Sequence, residues 1–202
     1  MVFAPLNVSD QLWAWKTALY RLFRHHVPPF STIYRAERRA LQRWLSAVDG
    51  RGLWLDLGCG EGTSFSLAEW KGNRVGVDRV RRLLARVSDA AGAFPVCADA
   101  ENLPLKDGCA DLVTAIGLAE YLPRRERLWR QIWNVLRPGG LAVVTAARPG
   151  LSNRARWLLG HRISTAGRAG LLREFRQAGL EVRAEQVTLL QWQFFLLKPK
   201  RS

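Results

Sequence analysis

The run Leu53-Trp54-Leu55-Asp56-Leu57-Gly58-Cys59-Gly60-Glu61-Gly62-Thr63 constrains the fold more than any other stretch of the chain. It reads as an apolar strand, a turn with glycine at alternate positions, and the start of a helix. Glycines so placed let the backbone turn tightly and let a ligand lie against bare peptide, and a helix N-terminus behind them favours a carboxylate. The spacing is not the G-x-G-x-x-G of dinucleotide enzymes, whose third glycine would fall on Thr63.

Two further acids stand where a nucleoside needs them. Arg74-Val75-Gly76-Val77-Asp78 ends a second strand on a carboxylate that can accept from both ribose hydroxyls. Pro95-Val96-Cys97-Ala98-Asp99 ends a third strand on an acid whose oxygen can accept from an exocyclic adenine amine. One aspartate at a strand end is commonly a turn or helix cap. Two of them, after consecutive parallel strands and behind a glycine turn, converge on a single crevice.

Around these residues, short apolar runs alternate with helical periodicity, the pattern of a parallel sheet covered by helices. Strands are expected at Leu53 to Leu57, Arg74 to Val77, Phe94 to Ala98, Ala110 to Ala115 and Leu141 to Thr145. Helices are expected at Thr63 to Lys71, Arg79 to Val87, Arg124 to Leu136 and Leu171 to Ala178, the last after an Arg- and Gly-rich stretch from Arg148 to Gly170. Glu181 to Leu190 and Gln191 to Leu197 are β-rich and too close for a crossover helix, so they should pair as an antiparallel hairpin. Residues 1–50 read as a helical appendage, a lid on the domain of residues 51–202. Its first helix, Gln11 to Arg24, carries Trp13, Trp15, Tyr20 and Phe23 beside Lys16, Arg21 and Arg24. Its second, Thr32 to Ala47, should turn Tyr34, Leu41, Trp44 and Leu45 inward and Arg35, Arg38, Arg39 and Arg43 largely outward.

A chain of 202 residues has room for one domain with appendages. No apolar run is long enough to cross a bilayer, and the N-terminal residues do not form an export signal. Cys59, Cys97 and Cys109 fit no zinc pattern, so no metal is expected and reduced thiols in a cytoplasmic setting are. The net charge is +14. Basic residues outnumber acids eight to three in residues 1–51 and eleven to three in residues 148–202, but only twelve to eleven in between. The excess at the ends is either a compositional bias towards arginine or the mark of an anionic partner.

At this point the chain resembles the class I S-adenosylmethionine methyltransferases, and within them the small-molecule branch similar to the ubiquinone/menaquinone C-methyltransferases. Asp56 to Gly62 is similar to the family's first motif, and Asp78 to its ribose-binding acid. Ala98-Asp99-Ala100-Glu101-Asn102-Leu103-Pro104-Leu105 is similar to its adenine-binding stretch, Asp111 to Ala115 to its fourth strand, and Leu136-Arg137-Pro138-Gly139-Gly140 to the turn before the fifth. The resemblance implies a Rossmann-like α/β fold, a seven-stranded, mostly parallel sheet with the last strand antiparallel and helices on both faces. It also implies S-adenosylmethionine as cofactor, held by Asp56, Gly58, Cys59, Gly60, Gly62, Asp78, Arg79, Asp99, Ala100 and Ile116. Gly58, Gly60 and Gly62 would lie along its methionine half, and Ile116-Gly117-Leu118-Ala119-Glu120-Tyr121 would border the transferred methyl. This chain departs from its relatives in that last segment and in the basic run Arg79-Val80-Arg81-Arg82.

Methyl transfer needs an acceptor atom held in line behind the methyl, with no covalent enzyme intermediate. If the acceptor must lose a proton, Glu120, Tyr121, His25, His26 and His161 are the available bases, and none is singled out as catalytic. No Asn or Asp followed by Pro-Pro and an aromatic stands after the fourth strand, which disfavours adenine or glutamine N-methylation. The lack of a Pro-Cys pair disfavours cysteine attack on a pyrimidine. A small-molecule or lipid-like acceptor is therefore expected, with peripheral contact of the first helix with an anionic membrane. RNA, a catalytically silent binding module and an NAD-dependent oxidoreductase are the alternatives.

Overall fold

The computed structural model describes residues 28, 30–87, 92–150 and 163–200. The expected first helix lies outside them, and with it the aromatic and basic residues of the membrane reading. The chain divides into two compact units, Met1–Ala40 and Leu41–Ser202. Helix α1, Phe30–Leu45, spans the boundary. Within the first unit, Arg38 donates to the Tyr34 hydroxyl at 3.3 Å, and both residues are half-buried, Tyr34 less inward and Arg38 less outward than expected.

The second unit is built on a seven-stranded sheet: β1 Leu53–Leu57, β2 Asn73–Asp78, β3 Phe94–Cys97, β4 Ala110–Ala115, β5 Leu136–Ala147, β6 Glu181–Val187 and β7 Gln191–Leu197. Its spatial order is β3-β2-β1-β4-β5-β7-β6. The first five strands pair in parallel, and β7 runs antiparallel to both β5 and β6. The hairpin expected from the short separation thus returns β7 into the gap between β5 and β6. The central strands β1 and β4 are buried along nearly their whole length, as parallel strands covered on both faces must be. The edge strand β6 instead alternates exposed and half-buried residues.

Two cores result. On one face, helices α3 (Arg125–Val135) and α4 (Arg168–Gln177) bury Trp129, Ile132, Leu171 and Phe175 against Leu55, Val113, Val144 and Phe194. Trp129, Phe175 and Phe194 stack edge to face with centroids 5.0 Å apart. On the other face, Leu41 and Leu45 at the end of α1 pack with Trp54, Phe65, Trp70 and Val143, and Leu84 of the short α2 (Arg81–Leu84) joins them.

Several boundaries differ from expectation. The helix expected at Thr63 to Lys71 is only a 3-10 segment, Thr63–Leu67. Thr63, Ser64, Phe65 and Ser66 are weak helix formers, and the Ser66 hydroxyl donates back to the Thr63 carbonyl at 2.8 Å. Ala68 is then fully extended, which lets Trp70 turn inward against Trp54 and donate from Nε1 to the Gly52 carbonyl. The helix expected from Arg79 begins at Arg81, because Val80 is extended. Strand β5 is longer than expected and absorbs the run Leu136 to Gly140. Gly139 donates to the Lys198 carbonyl and Lys198 donates to that of Gly140, which extends the ladder past β7. The Lys198 ammonium donates to the Trp133 and Leu136 carbonyls at 2.7 Å and so closes the end of α3.

Candidate functional site

The carboxyl ends of β1, β2 and β4 deliver the glycine turn, Asp78 and the segment Ile116–Tyr121 to one edge of the sheet. Gly58, Gly60 and Gly62 all have positive φ, 68°, 55° and 81°, a conformation that other residues adopt only with strain. Their roles differ. A Cβ on Gly58 would stand 2.9 Å from the Leu118 side chain, so this glycine makes room for the segment after β4. A Cβ on Gly60 would meet nothing within 4 Å, so its peptide faces open space. Gly62 precedes the 3-10 segment, and no α-helix N-terminus stands behind the turn.

Asp78 ties the turn together. Its Oδ2 accepts from the Gly60 amide at 2.9 Å and its Oδ1 from the Val80 amide at 2.8 Å. Each oxygen retains a second lone pair for a ligand hydroxyl. Arg79 beside it is exposed. Asp99 is exposed too, and its Oδ1 is taken by the Glu101 amide at 2.9 Å, which leaves Oδ2 as the oxygen for an amine; Ala100 behind it is buried.

Cys59 is buried, and Gly76 is what admits it, since a Cβ there would lie 2.8 Å from the sulfur. Burial, with the charges of Asp56 and Asp78, pushes its thiol far above the ordinary range, so it is a packing residue and not a nucleophile.

Asp56 is 1% exposed. Its Oδ1 accepts from the Thr114 hydroxyl at 2.5 Å, and that oxygen in turn accepts from Trp54 Nε1 at 2.9 Å. Oδ2 is buried without a hydrogen-bond partner. Burial raises the Asp56 carboxyl to about 7, partly offset by the Thr114 and Ser64 hydroxyls and reinforced by the Asp78 charge. Asp56 therefore lies beneath the turn, inside the sheet, rather than on its open side.

The segment after β4 is positioned from two sides. Gly117, at φ 68°, donates to the Thr145 hydroxyl of β5 at 2.7 Å, and a Cβ on it would meet nothing within 4 Å. Ile116 is half-buried. Glu120 is buried within a 3-10 turn, Ala119–Tyr121, and its carbonyl accepts from the Ser164 amide at 2.7 Å. Arg125 holds Ser164 by its hydroxyl at 2.6 Å and pairs with Glu174 at 3.0 Å. His25, His26 and His161 lie outside the described residues.

Thr114, Thr145 and Ser164 are the site's supporting residues that sequence reasoning missed. A hydroxyl within a fully buried strand, as at Thr114 and Thr145, is the signal that could have found two of them, since a buried hydroxyl requires a partner.

The bare peptide at Gly60, open on the side a Cβ would fill, and the acid bonded to its amide fit a nucleoside cofactor. Asp78→Ala is expected to weaken S-adenosylmethionine binding by about 2 to 3 kcal/mol, through loss of a charged acceptor for two hydroxyls. Calorimetric titration checks this; unchanged affinity with an unchanged melting curve would place the ribose elsewhere.

Residues 55–144 match the family model described as a methyltransferase domain. A malonyl-[acyl-carrier protein] O-methyltransferase of Marinomonas sp. (strain MWYL1) is 31% identical over 146 residues, 68% of this chain and 54% of that protein. A fatty-acid O-methyltransferase of Mycolicibacterium smegmatis is 29% identical over 152 residues, 72% of this chain and 48% of that protein. The chain thus spans about half the length of these curated relatives. Among solved structures, the [4+2]-cyclase SpnF superposes with a TM-score of 0.71 at 21% identity, covering 83% of each chain, which speaks for the fold alone. Sheet order, glycine turn and matched segment agree: residues 55–144 carry a methyltransferase domain, on a sheet of the class I S-adenosylmethionine-dependent kind.

Proposed function

We propose that the chain transfers a methyl group from S-adenosylmethionine to a small-molecule or lipid-like acceptor, with an acyl carboxylate as the favoured acceptor group. The observation that carries the cofactor half is the open peptide at Gly60 bonded to the Asp78 carboxylate. The acceptor half is supported by two relatives whose names specify O-methylation of a carrier-bound malonyl group and of a fatty acid.

When bound, the cofactor supplies a methyl group made electrophilic by its sulfonium. The chain's own residues bind and orient. The Gly60 peptide receives the methionine half, Asp78 the ribose hydroxyls, and Asp99 Oδ2 the adenine amine. Thr145 and Ser164 fix the segment that faces the acceptor. A carboxylate acceptor is already ionised at neutral pH, so no base is required and neither Glu120 nor Tyr121 is given a proton to move.

The test is transfer of labelled methyl from S-adenosylmethionine to laurate and, separately, to total RNA, alongside calorimetric titration of the cofactor. Absence of cofactor binding would end the reading. Cofactor binding with label in RNA alone would replace the acceptor.

A further inference from the structure

In the sequence, residues 52–147 are nearly balanced in charge, twelve basic residues against eleven acids. On the surface they are not. Asp56 and Glu120 are buried and Asp78 is half-buried at the site, whereas Arg124, at the N-cap of α3, and Arg127 and Arg130 within it are all exposed. Arg127 and Arg130, three residues apart, lie on the side of α3 opposite the buried Leu128, Trp129 and Ile132. Helix α4 packs beside α3 on the same face of the sheet, joined to it by the Arg125–Glu174 pair and by Trp129 against Phe175. It turns Arg173 and Arg176 outward while burying Leu171 and Phe175.

Five arginines thus share one surface. Their guanidiniums make no ion pair or hydrogen bond among the described residues. At 1.5 Å per residue Arg127 and Arg130 are about 4.5 Å apart along the axis of α3, and neighbouring helices lie about 10 Å apart, so the cations match carboxylates spaced along one partner helix. The row starts at Arg124, three residues after the Ala119–Tyr121 turn that borders the site.

We propose that the outer face of α3 and α4 docks a small acidic protein that carries the acceptor group to the site; this rests on the acyl-acceptor reading above. Charge complementarity names the partner, and two features separate it from other anions. Among the described residues, the exposed large apolar side chains, Phe94, Val187 and Leu189, all lie off these helices, and Trp133, the half-buried ring on α3, has the Lys198 ammonium 3.9 Å from its centroid, so these helices offer little to sink into a bilayer or to stack on a base. Glu126 is exposed within the arginine row, and a carboxylate there finds a cationic or polar group on a protein but repels a uniform phosphate backbone.

The experiment titrates the full chain, loaded with S-adenosylhomocysteine, with an acylated acyl carrier protein as the acidic probe. Vesicles containing phosphatidylglycerol and duplex RNA form parallel arms. Binding of the carrier protein should weaken steeply with salt and fall at least tenfold in the variant Arg127→Glu, Arg130→Glu, Arg173→Glu, with cofactor affinity and melting temperature unchanged. If the variant proves unstable, Arg127→Gln with Arg173→Gln should still give a measurable loss. No binding of the carrier protein, binding indifferent to these substitutions, or binding only to vesicles or RNA would each overturn the proposal. Loss of cofactor binding in the unaltered protein would instead defeat the methyltransfer reading, so the two failures are distinguishable.

Discussion

Gly60→Val is expected to abolish S-adenosylmethionine binding, by a thousandfold or more, while the protein still folds. The argument rests on what surrounds the residue. A side chain at this position would meet no protein atom within 4 Å of its Cβ, so no packing is disturbed. What it would fill is the open space against the bare peptide, which the proposed placement of the cofactor's methionine half requires. The substitution also carries backbone strain, because φ is 55° and a β-branched residue resists the left-handed region at about 1–2 kcal/mol. Gly92→Val separates the two effects. Gly92 has φ 57° and likewise nothing within 4 Å, but it stands before β3, at the opposite end of the sheet. Equal loss of melting temperature in both variants, with loss of calorimetric binding in Gly60→Val alone, is the expected result. Retained binding in Gly60→Val would show that the cofactor does not lie against this turn.

The difference between Gly58 and Gly60 marks how far the sequence could be read. Their alternate spacing identified the turn, and the strand-turn pattern identified the sheet, because both are local: a strand's apolar run and a glycine's positive φ are written in neighbouring residues. Which glycine makes room for Leu118 and which faces open space depends on the segment after β4, some sixty residues later, and no local pattern carries it. The same holds for Asp56. Its place at a strand end, in a motif shared with cofactor-binding relatives, pointed to the ligand side, whereas its partners Thr114 and Trp54 lie within the sheet. The helix expected at Thr63 failed for a different reason. Apolar periodicity was present, but serine hydroxyls competed for the backbone and Trp70 found a better burial against Trp54. The charge pattern misled in the same way: a balanced count conceals acids drawn inward and arginines left outside.

Asp56→Asn is expected to stabilise the protein at pH 8 by up to about 4 kcal/mol relative to the effect of the same substitution at pH 4. In the folded chain the carboxyl is raised from 3.8 to about 7, chiefly because burial disfavours its charged form. Well below the unfolded value of 3.8 the group is protonated in both folded and unfolded chains and contributes nothing to the difference. Between pH 4 and pH 7 the unfolded chain releases the proton while the folded chain keeps it, so rising pH favours unfolding. Above pH 7 both forms are ionised, and the cost of a buried carboxylate with one unpartnered oxygen is fully present. Asparagine keeps an oxygen for the Thr114 hydroxyl and removes the titration. Its amide group replaces Oδ2 without a charge, so the Trp54–Thr114 chain of hydrogen bonds survives. Denaturant melts of both proteins at intervals from pH 4 to pH 8 give the difference directly, and the contributions of other carboxylates cancel in it. A difference that is flat across this range would mean that Asp56 titrates at its ordinary value and that the sheet accommodates its charge. A difference that grows with pH and levels off near pH 8 would place the ionised carboxylate beneath the glycine turn at neutral pH, beside Asp78. There the two acids hold negative charge under the peptide on which a cationic cofactor would lie, an arrangement whose cost in stability is offset only when that cation is bound.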